Sequence, residues 1–223
     1  QHRFGVNERQ RLQAKGDPRL GAVHLLTMSA TPIPRTLELT QYGELEVSRL
    51  MEKPPGRTPV TTAVLPLARI GEVAARLKTA VESGTQAYWI CPLVAESEAI
   101  DLAAAVDRAD DLRRLLGVEV GLAHGQMPGA EREAVMADFA DGRLPVLVAT
   151  TVVEVGVDVP NASIMVIEHA DRFGLAQLHQ LRGRVGRGSK ASSCILLYGG
   201  QDGALGETAK ERLETLRRTE DGF

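Results

Sequence analysis

The residues best suited to chemistry lie in the stretch 180–187, QLRGRVGR, which holds three arginines and two glycines within eight positions. Clustered guanidinium groups favour a polyanion, and the planar side chains of Arg184 and Arg187 can each bind phosphate oxygens through paired hydrogen bonds. Gly183 and Gly186 let the backbone turn sharply and approach such a partner closely. A solvated basic turn is the alternative interpretation of so short a run.

A second group of polar residues follows a buried apolar run, in the stretch 149–160, ATTVVEVGVDVP. The hydroxyls of Thr150 and Thr151 could donate to phosphate oxygens, and the carboxylate of Asp158 could accept from sugar hydroxyls. As an alternative, the threonines are simply strand formers, and Asp158 is a turn residue before Pro160.

Two further loops carry polar residues between a predicted strand and a predicted helix. His124 and Gly125 precede a helix whose positive N-terminus could hold a phosphate, although a purely structural histidine is the alternative. Ser29 and Thr31 lie in the stretch SATPIPR, where Thr31 suits a helix N-cap and Pro32 the first helical position. An ordinary capped connection would look the same.

The elements that must position these residues alternate regularly along the chain. Short apolar runs predict strands at 60–65, 87–91, 118–123, 146–149, 164–167 and 194–198. Helical spacing predicts helices between 70 and 84, at 101–116, 128–141 and 175–181, and over a final apolar face from Leu205 to Leu216. Continuous apolar strands that alternate with helices indicate a parallel α/β sheet covered on both faces. Because ligands of such sheets bind at the carboxyl ends of strands, we expect all four polar loops at that edge.

Composition excludes several classes of protein. The 223 residues carry a net charge of −3, so any nucleic-acid binding must come from local patches. Cys91 and Cys194 stand far apart without a CxxC pattern, which predicts buried thiols in a reducing compartment and neither disulfides nor a metal site. No apolar run approaches the roughly 20 residues that span a bilayer. We therefore expect a cytoplasmic protein without membrane contact.

A break in the pattern predicts the domain organisation. Two prolines and a glycine interrupt regular structure at residues 53–58, which we interpret as a linker. Residues 1–52 are then the remnant of a preceding domain, 59–200 a complete domain, and 201–223 the start of a helical element. A chain that begins with Gln1 and stops at Phe223 without a clear helix cap is expected to be a piece of a longer protein.

The motifs, in this order, resemble a known family. The stretches SATPIPR, ATTVVEVGVD and QLRGRVGR resemble motifs III, V and VI of superfamily 2 helicases. The stretches QHRFG at 1–5, PPGR at 54–57, CPL at 91–93 and RFGL at 172–175 make the whole chain resemble the RecG-type branch-migrating DNA helicases. The resemblance implies a RecA-like domain at 59–200 and the end of a preceding RecA-like motor domain at 1–52.

The resemblance also implies a role for each candidate residue. Arg184 and Arg187 correspond to arginine fingers that stabilise charge on the transferring γ-phosphate, and Gln180 helps to position the nucleotide or its water. Asp158 accepts from the ATP ribose. The nucleotide site is completed by Gly156 and Gly183. Contact with DNA, or its coupling to hydrolysis, is assigned to Ser29, Thr31, His124, Gly125, Thr150 and Thr151.

Some parts of a complete motor are missing from this sequence. There is no GxxxxGKS/T stretch, and the acidic pair expected just before Gln1 is absent. The resemblance therefore implies that ATP with Mg²⁺ is bound mainly by an upstream motor domain, and that this chain alone neither hydrolyses ATP nor unwinds DNA. Implied partners are branched DNA, such as forks and Holliday junctions, and the upstream motor and wedge domains.

Two other functions fit parts of the pattern. The transcription-repair coupling translocase shares the HRFG, ATPIPR and GRVGR signatures, whereas the PPGR stretch and the ending Asp221-Gly222-Phe223 favour the branch-migration enzyme. A non-catalytic nucleic-acid-binding module would also lack the phosphate-binding lysine. Intact arginine fingers at 184 and 187 favour a working motor.

Overall fold

The structure is a computed structural model that describes residue 11 and residues 57–92, 98–150, 159–199 and 205–219. All of these except Arg11 belong to one of the two compact units into which the chain divides, Val47–Gly222. The predicted linker and the segments before it lie mostly outside the described residues, so the domain boundaries stay predictions. Within the described ranges, no helix is long and apolar enough to cross a bilayer.

Strands and helices alternate through the described part of the chain, except that two strands follow one another on either side of residues 151–158, which lie outside it. The strands are β1 Val60–Pro66, β2 Gln86–Cys91, β3 Val120–Ala123, β4 Val146–Thr150, β5 Ala162–Ile167 and β6 Ser192–Tyr198. The helices are α1 Ile70–Glu82, α2 Glu98–Leu116, α3 Gly129–Ala140, α4 Leu175–Arg182 and α5 Glu207–Arg218.

The strands form one sheet in the order β1-β6-β5-β2-β4-β3, and every pairing is parallel. This confirms the parallel α/β sheet predicted from the apolar runs. Strand β2 lies inside the sheet, and each of its six residues is buried. A strand buried on both faces favours apolar side chains on both, which is why residues 87–91 read as a continuous run, while the buried amide of Gln86 donates to the carbonyls of Phe139 and Leu144.

One face of the sheet is covered by α1 and α2. Val73 and Leu77 of α1 and Leu112 of α2 share a buried cluster with Trp89 and Val148. The apolar residues of α1 recur at helical spacing, so they form one stripe that packs against the sheet. The helix ends just before Gly84, which has a φ of 80°.

The opposite face is covered by the other helices. Phe139 of α3, Leu178 of α4 and Leu213 of α5 belong to a second buried cluster, together with Tyr88 and Met165 of the sheet. The rings of Tyr88 and Phe139 meet edge to face with centroids 4.8 Å apart. Neighbouring residues of β2, Tyr88 and Trp89, thus serve opposite cores, as the twofold period of a strand requires.

The predicted element bounds differ from the observed ones by a few residues. Helix α2 begins at Glu98 rather than 101, and β3 begins at Val120 rather than 118. The turn after α2 takes up Val118 and Glu119, although valine is a strand former by type. Apolar pattern marks the buried middle of an element better than its ends, where few side chains pack.

Candidate nucleotide and nucleic-acid interface

Residues 183–190, which we call the arginine loop, connect α4 to β6 and carry Arg184 and Arg187. The loop begins with a tight turn, because the Gly183 amide donates to the His179 carbonyl (2.9 Å) and the Arg184 amide donates to the Leu181 carbonyl (3.0 Å). These bonds satisfy carbonyls at the end of a helix of only eight residues. The turn therefore fixes the direction in which the loop leaves α4.

Two glycines let the arginine loop pack against the sheet. Gly186 has a φ of 78°, and a Cβ added there would lie 2.8 Å from Val60 Cγ2. A Cβ on Gly188 would lie 2.5 Å from the Pro160 carbonyl oxygen. Since real Cβ atoms do not approach so closely, any side chain at either position would push the loop away from β1 or from the residues before β5.

The two candidate arginine fingers lie in this packed loop. Arg184 and Arg187 are both half-buried. The Arg187 Nε donates to the Gly183 carbonyl at 3.2 Å, which ties the middle of the loop to its start. Gln180, on α4, is exposed. Both guanidinium groups are thus carried by backbone that is held from several sides, as a preorganised phosphate ligand requires.

Arg182, the first arginine of the motif, does not serve a polyanion. Its side chain is 4% exposed, and Nη1 donates to the carbonyls of Leu216 (2.5 Å) and Thr219 (2.8 Å). The carbonyls at the C-terminus of α5 lack hydrogen-bond partners within that helix and carry partial negative charge. A buried guanidinium group is therefore a suitable donor for them. Arg182 is thus a structural residue, and Arg184 and Arg187 are the two arginines of the motif that stay candidate phosphate ligands.

His124, Gly125 and Thr150 lie at the carboxyl edge of the sheet. His124 directly follows β3 and Thr150 ends β4, and these strands are paired with Ala123 opposite Ala149. Gly125 is exposed, whereas Thr150 is only 2% exposed. The His124 Nδ1 is buried without a hydrogen-bond partner among the described residues. A buried unpaired ring nitrogen is costly, so it favours a partner outside this part of the chain.

The arginine loop lies at the opposite edge. Its contacts are with Thr58 and Val60 at the start of β1 and with Pro160 just before β5, which places it at the amino edge. The expectation that all four polar loops emerge at the carboxyl edge is therefore wrong. Its physical reason is connectivity, because the arginine loop follows a helix and leads into a strand, whereas His124 follows a strand.

The second motif begins at one edge and ends at the other. Thr150 ends β4 at the carboxyl edge, and Val159 lies before β5, where its carbonyl accepts from the Ala162 amide at 3.0 Å. Residues 151–158 lie outside the described residues, and so do Thr151, Gly156 and Asp158. Ser29 and Thr31 also lie outside them. The roles of these five residues stay predictions.

Sequence reasoning missed a buried polar cluster around Glu168. The Glu168 carboxylate accepts from Trp89 Nε1 at 2.5 Å and from Arg108 Nε at 2.5 Å. Burial lowers the pKa of Arg108, but hydrogen bonds and charge from Glu168 outweigh it and raise that pKa above its ordinary value. The sequence carries no local signal for this cluster, because Trp89 and Glu168 are 79 positions apart along the chain.

The loop after β5 also holds the carboxyl end of β6. Asp171 Oδ1 accepts from the Gly199 amide at 2.9 Å, and the Asp171 carbonyl accepts from Arg212 Nη2 at 2.6 Å. His169 has a φ of 47°, and a Cβ on Gly199 would lie 2.5 Å from its Nδ1. The loop between β5 and α4 is therefore hydrogen-bonded to both the end of β6 and α5. In the described ranges, no group of three or more His, Cys, Asp or Glu residues could hold a metal ion.

A family model described as the helicase conserved C-terminal domain matches residues 72–189. The match covers more than half of the chain. It includes His124, Thr150 and both candidate arginine fingers.

The curated relatives match over the whole chain. The ATP-dependent DNA helicase RecG of Acidithiobacillus ferridurans is 56% identical over 224 residues, and that of Escherichia coli is 53% identical over 225 residues. Each alignment covers 100% of this chain and 32% of the relative, so the chain spans about a third of the length of these relatives.

Solved structures show the same relationship. RecG bound to a three-way DNA junction matches with a TM-score of 0.79 and 43% identity, over 100% of this chain and 28% of that one. Dbp5 from S. cerevisiae matches with a TM-score of 0.59 and 18% identity, over 95% of this chain and 51% of its own. The second likeness shows the RecA-like fold alone.

Proposed function

Since the chain belongs to the helicase conserved C-terminal domain family and is of the RecG type, we propose that it is the second motor domain of an ATP-dependent DNA helicase that branch-migrates forks and junctions. In this proposal, the upstream motor and wedge domains of the same protein supply the rest of the machine. The matched RecG structure is bound to a three-way junction, which supports branched DNA as the partner.

The observation that carries the proposal is the packing of the arginine loop at the amino edge. The residues there fit the phosphates of a nucleotide, because Arg184 and Arg187 bring planar donors on a loop that Gly186 and Gly188 hold against the sheet. ATP bound there would supply the γ-phosphate whose transfer releases free energy. The two guanidinium groups bind its oxygens, and the developing negative charge favours them further.

The remaining nucleotide contacts come from residues on either side of the loop. Asp158 accepts from the ribose hydroxyls, Gln180 orients the nucleotide or its water, and Gly156 and Gly183 permit close backbone approach. Mg²⁺ is assigned to the upstream motor domain. The described residues offer no acidic cluster for it, and the chain lacks the phosphate-binding lysine. We therefore infer that this chain alone does not turn over ATP.

DNA contact is assigned to the carboxyl edge. The exposed Gly125 and the N-terminus of α3 present backbone amides that can donate to a phosphate oxygen, and His124 lies beside them at the end of β3. Thr151 is the better candidate of the two threonines, because Thr150 is buried. Ser29 and Thr31, which lie outside the described residues, are assigned the coupling of hydrolysis to strand contact from the motif alone.

The test uses the full-length helicase that contains this domain. Replacement of Arg187 by alanine is expected to lower kcat for DNA-stimulated ATP hydrolysis by about 10³-fold, within the range found for arginine fingers. A matched control is Arg143→Ala, since Arg143 is an exposed surface arginine that pairs with Asp138 and Asp141. The proposal fails if the Arg187 variant keeps kcat within about threefold of the control.

A further inference from the structure

Lys190 ends the arginine loop and contacts two other connections at the amino edge. Its Nζ donates to Asn161 Oδ1 at 2.9 Å and to the Gly84 carbonyl at 3.3 Å. Its own carbonyl accepts from Thr58 Oγ1 at 3.2 Å. The Lys190 side chain thus hydrogen-bonds to both the turn after α1 and the segment before β5. The Lys190 backbone hydrogen-bonds to Thr58, just before β1.

Asn161 is the centre of these contacts. Its amide Nδ2 donates to the same Gly84 carbonyl at 3.4 Å, and its backbone carbonyl accepts from the Gln86 amide at 3.4 Å. Asn161 lies three residues after Asp158 along the chain. Within the described residues it belongs to the short stretch 159–161 that leads into β5.

We propose that Lys190 and Asn161 are positioning residues that hold the arginine loop, and with it Arg184 and Arg187, in place against residues 159–161. The inference rests on the proposed nucleotide role of Arg184 and Arg187. In this proposal Lys190 and Asn161 act through those arginines and not on the nucleotide itself.

Two different contacts connect the arginine loop to residues 159–161. The Gly188 backbone lies against the Pro160 carbonyl, which sets how closely the arginine loop can approach the segment. A steric contact of this kind stops approach but permits sliding. The hydrogen bond from Lys190 to Asn161 is directional, and the charge of the ammonium strengthens it, so it fixes the loop laterally.

The expected size of the effect is modest. Lys190 and Asn161 are both exposed, so solvent and salt screen their interaction. A net hydrogen bond of ordinary strength corresponds to about a three- to tenfold change in an equilibrium or a rate. Loss of a finger itself costs far more, and this difference separates a positioning residue from a catalytic one.

The kinetic test compares variants in the full-length helicase. Lys190→Met keeps the apolar stem and removes the ammonium, and Asn161→Ala removes its acceptor. Each is expected to lower kcat for DNA-stimulated ATP hydrolysis about three- to tenfold, to leave KM for ATP within twofold, and to leave Tm unchanged.

A double variant and a conservative variant test whether the two residues act together. The kcat of the double variant is expected to be no lower than that of the weaker single variant, and Lys190→Arg is expected to recover most of kcat. Lys78→Met, at an exposed lysine of α1, is the control.

A binding measurement gives a second readout. Affinity for ADP with aluminium fluoride, which mimics the transferring phosphoryl group, is expected to fall about three- to tenfold in Lys190→Met, while affinity for ADP alone stays unchanged. A structural role without positioning would move both affinities or Tm instead.

Three results would contradict the positioning role. If Lys190→Met keeps kcat within 1.5-fold of the control while Arg187→Ala loses it, the positioning role is wrong and the proposed function stands. Additive losses in the double variant would show that the two residues do not act together. If Arg187→Ala also keeps its activity, the proposed function and the positioning role both fall.

Discussion

Arg182 and Arg187 belong to one short motif, but their side chains serve different purposes. Arg182 is buried and donates to two carbonyls at the end of α5, whereas Arg187 is half-buried in the loop that follows. Residue type and spacing could not separate them, because both are arginines beside glycines. The two arginines differ because Arg182 is buried against the C-terminal end of α5. That contact depends on where α5 packs in the fold, which the local sequence around Arg182 does not indicate.

Replacement of Arg182 by methionine should therefore destabilise the fold. The change leaves the carbonyls of Leu216 and Thr219 without their donor in a buried place, which costs about 2–4 kcal/mol in the free energy of unfolding. Chemical denaturation of the chain, followed by far-UV circular dichroism, measures this. The control is Arg217→Met, at an exposed arginine that pairs with Glu214, where a change below about 0.5 kcal/mol is expected. Equal losses in the two variants would contradict the assignment.

Glu168 gives a second prediction at this scale. Glu168→Gln removes the charge that balances Arg108 inside the protein, and we expect a loss of about 2–4 kcal/mol in the free energy of unfolding. The indole of Trp89, the single tryptophan of the chain, donates to this carboxylate, so its fluorescence reports the change directly. We expect an altered emission maximum in the folded state. Glu72→Gln, at an exposed ion pair with Arg69, is the control and should change neither quantity. A Glu168 variant as stable as this control would refute the buried role.

At the scale of elements, the sequence predicted the described fold well. Every described strand and α-helix was expected close to its observed bounds, because buried strands and amphipathic helices carry strong apolar patterns, whereas the short 3-10 helices Leu67–Arg69 and Ala170–Arg172 were not expected. The prediction that Cys91 and Cys194 are buried thiols is confirmed. The failure concerned the loops, whose edge of the sheet follows from connectivity and from contacts between residues far apart, such as Gly188 and Pro160.

The thiols of β2 and β6 allow a test of that burial. Burial raises the pKa of Cys91 above its ordinary value and raises the pKa of Cys194 to about 12. Neither thiol should react with an aromatic disulfide reagent at pH 8 in the folded chain, and both should react in denaturant. Rapid reaction of either thiol in the folded chain would contradict the packing of these strands.

The same thiols make stability depend on pH. Above the ordinary pKa of 9.0, the unfolded chain loses the Cys194 proton while the folded chain keeps it until about pH 12. The folded state then binds more protons, so stability is complete below pH 9 and falls as pH rises, by about 1.4 kcal/mol per pH unit for this thiol. Denaturation at pH 8 and pH 10 measures the difference. Cys194→Ala should show a smaller loss, and an equal loss would contradict the assignment.

At the scale of the whole molecule, the candidate residues divide between the two edges of one sheet. His124 and Gly125 lie at the carboxyl edge, and the arginine loop lies at the amino edge with its glycines against β1 and Pro160. A domain built in this way can meet a nucleotide and DNA at separate surfaces, joined by a sheet that is packed on both faces. The order of the predicted elements already implies this division, because the arginine loop follows a predicted helix and leads into a predicted strand, whereas His124 follows a predicted strand.

The most direct test of the division of labour measures two quantities on two variants of the full-length helicase. One variant is Arg184→Ala with Arg187→Ala, and the other is His124→Ala. The account predicts that the arginine variant loses ATP turnover by at least about 10³-fold but binds a three-way junction within threefold of wild type. The His124 variant should bind the junction several-fold more weakly while its kcat at saturating DNA stays within threefold. If junction affinity falls with the arginines, or if ATP turnover survives their loss, the separation of the two edges by function is wrong.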